Sequence, residues 1–244
     1  MIRHPLSTVA MIALAVALSG MARQAFAAEG SISGTVKYDS GTPAAKKLEI
    51  TKDLSVCAVH EKFEEDLIVS ATGGLQNVFA QVLGAEGEFP VQKKRPSLVQ
   101  RGCLFIPHVQ VIPAGSRVNI MNEDGIAHNL HTLSVENPAF NRLQPGIKKR
   151  MITKKADLTI PEIIPVKCDL HGWMKAFIIV ADHPFHAISD QEGSFQISGI
   201  PAGTYTVQFW HETLGIQSQK VTVQAGADTK INDIAFKLEK GSEG

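Results

Sequence analysis

The chain has 244 residues, and its 24 Lys and Arg balance 24 Asp and Glu. Only 6% of residues are aromatic, and no basic run is interleaved with them, which argues against a nucleic-acid partner. The length allows one large β-domain or two small ones.

Residues 1–27 read as a secretory signal. Arg3 and His4 form a short polar start, residues 9–18 are apolar, and Ala25-Phe26-Ala27 gives a small-x-small cleavage pattern. The apolar run is too short to span a bilayer and no second one follows, so no transmembrane segment is expected. The expected mature chain has 217 residues (244 less 27) and is periplasmic or secreted. Its formal charge is −2, because 22 Lys and Arg (24 less Arg3 and Arg23) face 24 acids.

The rest reads as nearly all β. Ile32, Gly34, Val36 and Tyr38 alternate along residues 31–38, and Asp39-Ser40-Gly41-Thr42-Pro43 is a turn. Residues 48–50 continue the pattern, and 53–66 are helix-like or irregular with Glu61, Glu64, Glu65 and Asp66 on a solvated face. Gly73-Gly74 opens a strand through Val78, Ala80 and Val82. Residues 84–97, rich in Gly, Pro and Lys, read as an exposed loop. Strands follow at 104–107, 109–112 and 118–122, with a turn at 113–115. The stretch Glu123-Asp124-Gly125-Ile126-Ala127-His128-Asn129-Leu130-His131 comes next.

The most informative stretch is Cys168-Asp169-Leu170-His171-Gly172-Trp173-Met174. Short β-branched runs flank it, so it reads as a tight loop between two strands. A thiol, an imidazole and a thioether stand at three-residue spacing. Zinc rarely takes Met, and a c-type haem needs a second Cys before the His. Cys thiolate, two His and a weak axial Met instead make a blue-copper electron-transfer site. The second imidazole must come from elsewhere, and His128, past a strand and a Gly turn, is the candidate. Asn129 beside it is placed to hydrogen-bond across the site. With Cys168 a ligand, Cys57 and Cys103 are left to pair in an exported protein; the alternative is two buried thiols.

Asn122-x-Asp124-x3-His128-Asn129 followed by Cys168-x2-His171-x2-Met174 resembles the cupredoxins, and the short loop is most like that of amicyanin. The resemblance covers residues 98–182. It implies a Greek-key sandwich with one type 1 copper per chain, held by His128, Cys168, His171 and Met174. It also implies an electron carrier rather than a catalyst, with redox protein partners such as a c-type cytochrome or a periplasmic dehydrogenase. His171, on the loop, would present its edge as the electron port; Trp173 would either join a docking patch or pack the loop.

The ends resemble a second module. Residues 190–197 and 200–210, with Val221, Val223, Ile234, Phe236 and Leu238, are similar to the carboxypeptidase-regulatory-like, prealbumin-like β-sandwich. Gly30-x-Ile32-x-Gly34-x-Val36-x-Tyr38 resembles that module's first strand. Residues 28–97 with 183–240 therefore read as one smaller sandwich interrupted by the cupredoxin. The competing layout is sequential, residues 28–182 and then a partial sandwich.

Other functions lack their signals. Multicopper oxidases and copper nitrite reductases need His-x-His pairs, and none occurs. Copper delivery calls for Met-rich or His-rich tracts, and there are six Met in all. An interaction module with an accessory copper site is the remaining alternative. His131 reads as a brace rather than a ligand, His108 as structural, and His183, His186 and His211 as polar residues at a domain junction rather than a second metal site. Asp53, Glu61 and Glu123 make no paired-carboxylate case.

Overall fold

The computed structural model describes residues 29–90, 95–146, 150–152 and 157–238. The signal-like segment 1–27 and residues 91–94 of the Gly/Pro/Lys-rich loop lie outside them. In chain order come β1 (Glu29–Tyr38), a single turn α1 (Leu54–Cys57), β2 (Phe79–Leu83), β3 (Ser97–Arg101), β4 (Leu104–Ile106), β5 (Val109–Pro113), β6 (Asn119–Asn122) and β7 (His128–Thr132). Then follow β8 (Asn141–Gln144), β9 (Arg150–Ile152), β10 (Glu162–Lys167), β11 (Lys175–Ala181), β12 (His186–Ile188), β13 (Ser194–Pro201), β14 (Gly203–His211), β15 (Gly215–Val223) and β16 (Asp228–Phe236). The fold is all-β, as the alternation requires.

The strands make four sheets, ordered β13-β1-β16, β12-β2-β14-β15, β5-β11-β10-β7-β8 and β4-β3-β6-β9. Strands from the two ends of the chain share the first two sheets: β1 pairs with β13 and β16, and β2 with β12 and β14. The strands from β3 to β11 pair among themselves.

Burial follows these sheets as stacked layers. Ile32, Val36, Ile197 and Ile231 from the first meet Val82, Val207, Phe209 and Val223 from the second. Leu98, Phe105 and Ile120 from the fourth meet Ile112, Leu130, Ile164 and Ile178 from the third. Between the second and third lies a smaller apolar layer of Phe79, Val109 and Ile179, flanked by Phe177, Ile188 and Trp210. Each fully buried Ile, Leu or Phe contributes about 2 kcal/mol. β11 is covered on both faces, so its sequence is a continuous apolar run rather than an alternation: Ile178 and Val180 face one core, Phe177 and Ile179 the other.

Several strands escape the sequence reading. β3 begins where the exposed loop is expected to end. β8 turns Asn141 and Leu143 outward and buries Gln144, and in β15 Gln217, Ser218, Gln219 and Lys220 carry no apolar period, so only pairing to β7 and β14 makes these stretches strands. The expected strand 200–210 is broken at its start, because Pro201 ends β13 and Gly203 begins β14. Residues 53–66, read as helix-like or irregular, are helical at α1 and irregular beyond it. The turn before β13 shows the tightest glycine: Gly193 has φ 76°, and a Cβ there would lie 2.3 Å from the Val36 carbonyl oxygen.

His211, at the end of β14, is 1% exposed, and its Nδ1 accepts the Thr213 N–H at 3.3 Å. Burial, reinforced by the nearby His108 and opposed by Asp66, pushes its pKa down to about 4. The neutral ring therefore belongs to the folded state. Above pH 6.5 the folded and unfolded chains both carry it neutral, and as pH falls toward 4 only the unfolded chain takes up the proton, so the fold loses about 3 kcal/mol. Denaturant titrations of the wild type and His211→Asn across this window should show the variant with a shallower acid loss; parallel curves would refute the assignment.

Candidate metal centre

The loop 168–174 is shaped by its own backbone. β10 and β11 pair up to Lys167 opposite Lys175, after which the Cys168 N–H donates to the Met174 carbonyl at 3.2 Å. The Met174 N–H in turn donates to the His171 carbonyl at 3.0 Å. Asn129, in β7, fastens the loop from the side. Its Oδ1 accepts the Asp169 N–H at 2.8 Å and the Leu170 N–H at 3.3 Å, and its Nδ2 donates to Asp169 at 3.0 Å and Asn141 at 2.7 Å. The Asn129 N–H points at Cys168 Sγ at 3.5 Å, and the thiol donates to Asn129 Oδ1 at 3.2 Å.

Three donors meet here. His128 Nδ1 lies 3.0 Å from His171 Nδ1, which lies 3.8 Å from Cys168 Sγ, and each of the three atoms is within 4.8 Å of the others. All three residues are buried, and Met174 is wholly buried in the same core cluster as Cys168. The other ring nitrogens are committed. His128 Nε2 donates to Asp124 Oδ2 at 2.9 Å, and His171 Nε2 donates to Asp53 Oδ2 at 2.8 Å. A carboxylate only accepts, so each imidazole keeps its proton on Nε2 and turns a lone pair on Nδ1 toward the other. Two lone pairs at 3.0 Å need a proton or a cation between them. The set of one thiolate sulfur and two imidazole nitrogens, with a buried thioether in the same loop, fits copper better than any hard cation.

The electrostatics agree. Burial alone would lower His128, but the hydrogen bond to Asp124 and the neighbouring Cys168 raise it to about 8. Burial alone would raise Cys168, but the neighbouring His128, the Asn129 N–H and His171 bring it down to about 6. Asp124 is itself held below the ordinary carboxylate range. Burial opposes this, but His128 and the N–H groups of Cys103 and Gly102 outweigh it.

Asp53 and Asp124 are the site residues that sequence reasoning missed. Asp124 had a signal, since it stands four residues before His128; Asp53 had none, lying 118 residues from His171. Asp53 heads α1 in the left-handed region (φ 50°, ψ 44°). α1 is anchored by the disulfide between Cys57 and Cys103, the pairing expected from the cysteine count. Cys103 also has positive φ (58°), and its carbonyl accepts the Trp173 indole N–H at 3.1 Å. Strained backbone thus sits at both ends of the cross-link that carries the two carboxylates to the imidazoles.

This corrects one expectation. His171 presents no open edge: it is 1% exposed, with Asp53 covering Nε2 and the Trp173 ring meeting it edge-on at 5.2 Å. The α1 segment has been laid across the loop. Trp173 packs the loop, one of its two expected roles. His131 turns away, its Nδ1 3.0 Å from Asp169, and braces the loop through that carboxylate. His183 and His186 contact each other at the start of β12, while His211 packs on Phe236; among the described residues they form no group with metal-ligand spacing. A second group so spaced, Cys103, Asp124 and His128, shares residues with the site, and its cysteine is in the disulfide.

Residues 180–231 match the family model of polysaccharide lyase family 4, domain II, rather than the carboxypeptidase-regulatory-like module expected for this stretch. No curated protein matches the chain in sequence. Among solved structures it is similar to a Cu-containing nitrite reductase from Thermus scotoductus SA-01, at 26% identity over 41% of this chain and 24% of that one, TM-score 0.33. It thus spans about a quarter of that enzyme. It is also similar to a purple cupredoxin from Nitrosopumilus maritimus, at 18% identity over 35% of this chain and 99% of that one, TM-score 0.30. An oxidised P96G mutant of amicyanin matches at 14% identity over 42% of this chain and 98% of that one, TM-score 0.32. Among the described residues no helix is long and apolar enough to cross a membrane.

Proposed function

We propose that the chain is an exported type 1 copper protein that carries single electrons between redox proteins, such as a c-type cytochrome and a periplasmic dehydrogenase. The observation that carries this reading is the convergence of His128, His171 and Cys168 with both remote ring nitrogens already bound to carboxylates. Met174 would be the axial ligand. Copper held there supplies a one-electron couple. The chain's part is to keep the donors still, so that little rearranges when the charge changes. Asn129 fixes the loop, Asp124 fixes His128, and Asp53 fixes His171. Such partners of ligating histidines set ring orientation and raise donor strength. Electrons would pass through the Asp53 and Trp173 side of the site, since His171 itself is covered.

The domain reading belongs to the same proposal. Residues 98–182 would be the cupredoxin unit, set into a second sandwich made from 28–97 and 183–240. The pairing of β1 with β13 and β16 and the separate apolar cores support it. The carboxypeptidase-regulatory-like identity of that sandwich rests on sequence resemblance alone.

The test is to add Cu(II) to the exported, metal-free protein. An intense visible band from thiolate-to-copper charge transfer is expected at one copper per chain. His131→Ala should leave that band nearly unchanged, and His128→Ala should abolish it. Zinc binding without a coloured Cu(II) form would rule out the electron carrier, and the reverse pattern of His variants would show the wrong imidazole was chosen.

A further inference from the structure

Both imidazoles of the metal centre end on a carboxylate, but the two carboxylates are held differently. Asp124 is 7% exposed and also accepts the N–H groups of Gly102 and Cys103 at 2.7 and 2.8 Å, so it is built into the turn that follows β3. The Asp53 side chain is 37% exposed, and its Oδ2 accepts from His171 Nε2 at 2.8 Å. Asp53 stands just before α1, where an aspartate ordinarily caps the first turn through its side chain from an extended backbone. Here the backbone is left-handed, at φ 50°, and the side chain makes no capping hydrogen bond. The carboxylate serves His171 instead of the helix. Among the described residues no Lys or Arg pairs with Asp53 or Asp124; each has an imidazole as its ion-pair partner.

We propose that Asp53 is a positioning residue whose negative charge, carried through the His171 ring, biases the centre toward divalent metal and so lowers the reduction potential of bound copper. The proposal rests on the copper reading above and adds the sign and the source of the site's redox bias.

Position alone does not call for a charge. A backbone carbonyl or an Asn side chain accepts the same Nε2–H and would fix the ring as well. A carboxylate does more. It draws the Nε2 proton toward itself and leaves more electron density on Nδ1, the nitrogen turned to the site. The attraction between a fixed negative charge and a cation grows with the charge of the cation, so Cu(II) gains more than Cu(I). The His171 ring is 1% exposed, so protein rather than water lies between the carboxylate and the donor atom. Asp53 itself is partly in water, which screens its charge and keeps the expected effect moderate. The bias is not cancelled elsewhere. With Cys168 as thiolate and both aspartates ionised, the donor set carries an excess of negative charge over either state of copper, and no Lys or Arg among the described residues pairs with these aspartates. Reduction adds to that excess and oxidation relieves it.

The test compares the full mature chain with Asp53→Asn and Asp53→Gly. Both replacements suit a left-handed backbone, so neither should disturb α1. Asn keeps an oxygen acceptor for His171 Nε2 and loses the charge; Gly loses both. In the metal-free protein, proton NMR should show a protected His171 Nε2–H in the wild type and in Asp53→Asn, and its loss in Asp53→Gly. Competition with chelators then gives the affinities. Zn(II) and Cu(II) should each bind about tenfold more weakly to Asp53→Asn, and at least as weakly to Asp53→Gly, while Cu(I) stays within about threefold. A tenfold change in the ratio of Cu(II) to Cu(I) affinity is a rise of about 59 mV in reduction potential, which voltammetry reads directly. Asp53→Asn should keep the visible band. If Asp53→Gly shifts the ratio and Asp53→Asn leaves it within about threefold of the wild type, the hydrogen bond acts without the charge and the proposal is overturned. Unchanged Zn(II) affinity in both variants overturns it as well. A wild type with no coloured Cu(II) form would remove the electron-carrier reading by itself, because the Zn(II) titrations still measure what the Asp53 charge does to a divalent cation.

Discussion

Cys168→Ser will give a folded protein that binds Cu(II) about 100-fold more weakly and without colour, because the side chain remains a donor but the copper–thiolate bond is gone. The fold should survive. The serine hydroxyl can still donate to Asn129 Oδ1, and the loop is held mainly by Asn129 and the Cys168 and Met174 backbone bonds. Melting curves establish that, visible absorption reads the site, and competition with a chelator gives the affinity. Met174→Leu is the companion. It should stay coloured and show a raised reduction potential, since loss of an axial donor disfavours Cu(II). A coloured Cys168→Ser protein would place the metal on other residues.

Removing the disulfide with Cys57→Ala and Cys103→Ala will cost about 4 kcal/mol, because the bond closes a loop spanning 46 positions and restricts the unfolded chain. For a chain of this size that is a fall of about 10 °C in melting temperature. Calorimetry should find the fall in the transition that carries the core around Leu98, Phe105 and Ile178, to which both cysteines belong. The same change reaches the site. Cys57 closes the turn that begins at Asp53, and the Cys103 N–H holds Asp124, so both imidazoles lose part of their support. Copper affinity should fall by about tenfold. Asp53→Ala with the disulfide intact separates the two effects: melting should change little, while affinity should fall as in the double variant. Unchanged affinity in both would show that the α1 segment covers His171 without supporting it.

The part of the site that was legible in the sequence is the part made by neighbours in the chain. Cys168, His171 and Met174 share one loop, and a loop between two short β-branched strands can turn three side chains to one point. His128 was legible because a strand end and a Gly turn precede it, and Asn129 because it is adjacent. Asp124 was within reach, four residues from His128. Asp53, Glu65 and Glu212 were not, since each meets its histidine through a fold that brings together residues 118, 43 and 104 positions apart.

The strands divide in the same way. β1 and β13 show alternation because one face is buried and the other is more open. β11 shows an unbroken apolar run because sheets cover both of its faces. β8 shows neither and β15 alternates only at Val221 and Val223, because their outward side chains follow no apolar period and the hydrogen bonds of β7 and β14 hold them extended. By itself, then, the sequence determined the all-β character, the cysteine pairing and the donor-bearing loop, each of which follows from local periodicity, turn chemistry or residue count. Tertiary structure alone decided that α1 lies across the loop, that Asp53 and Trp173 cover His171, and that Glu65 and Glu212 stand beside His108. Those contacts depend on which distant backbone segments the sheets and the disulfide bring within 3 or 4 Å, and no spacing along the chain encodes that.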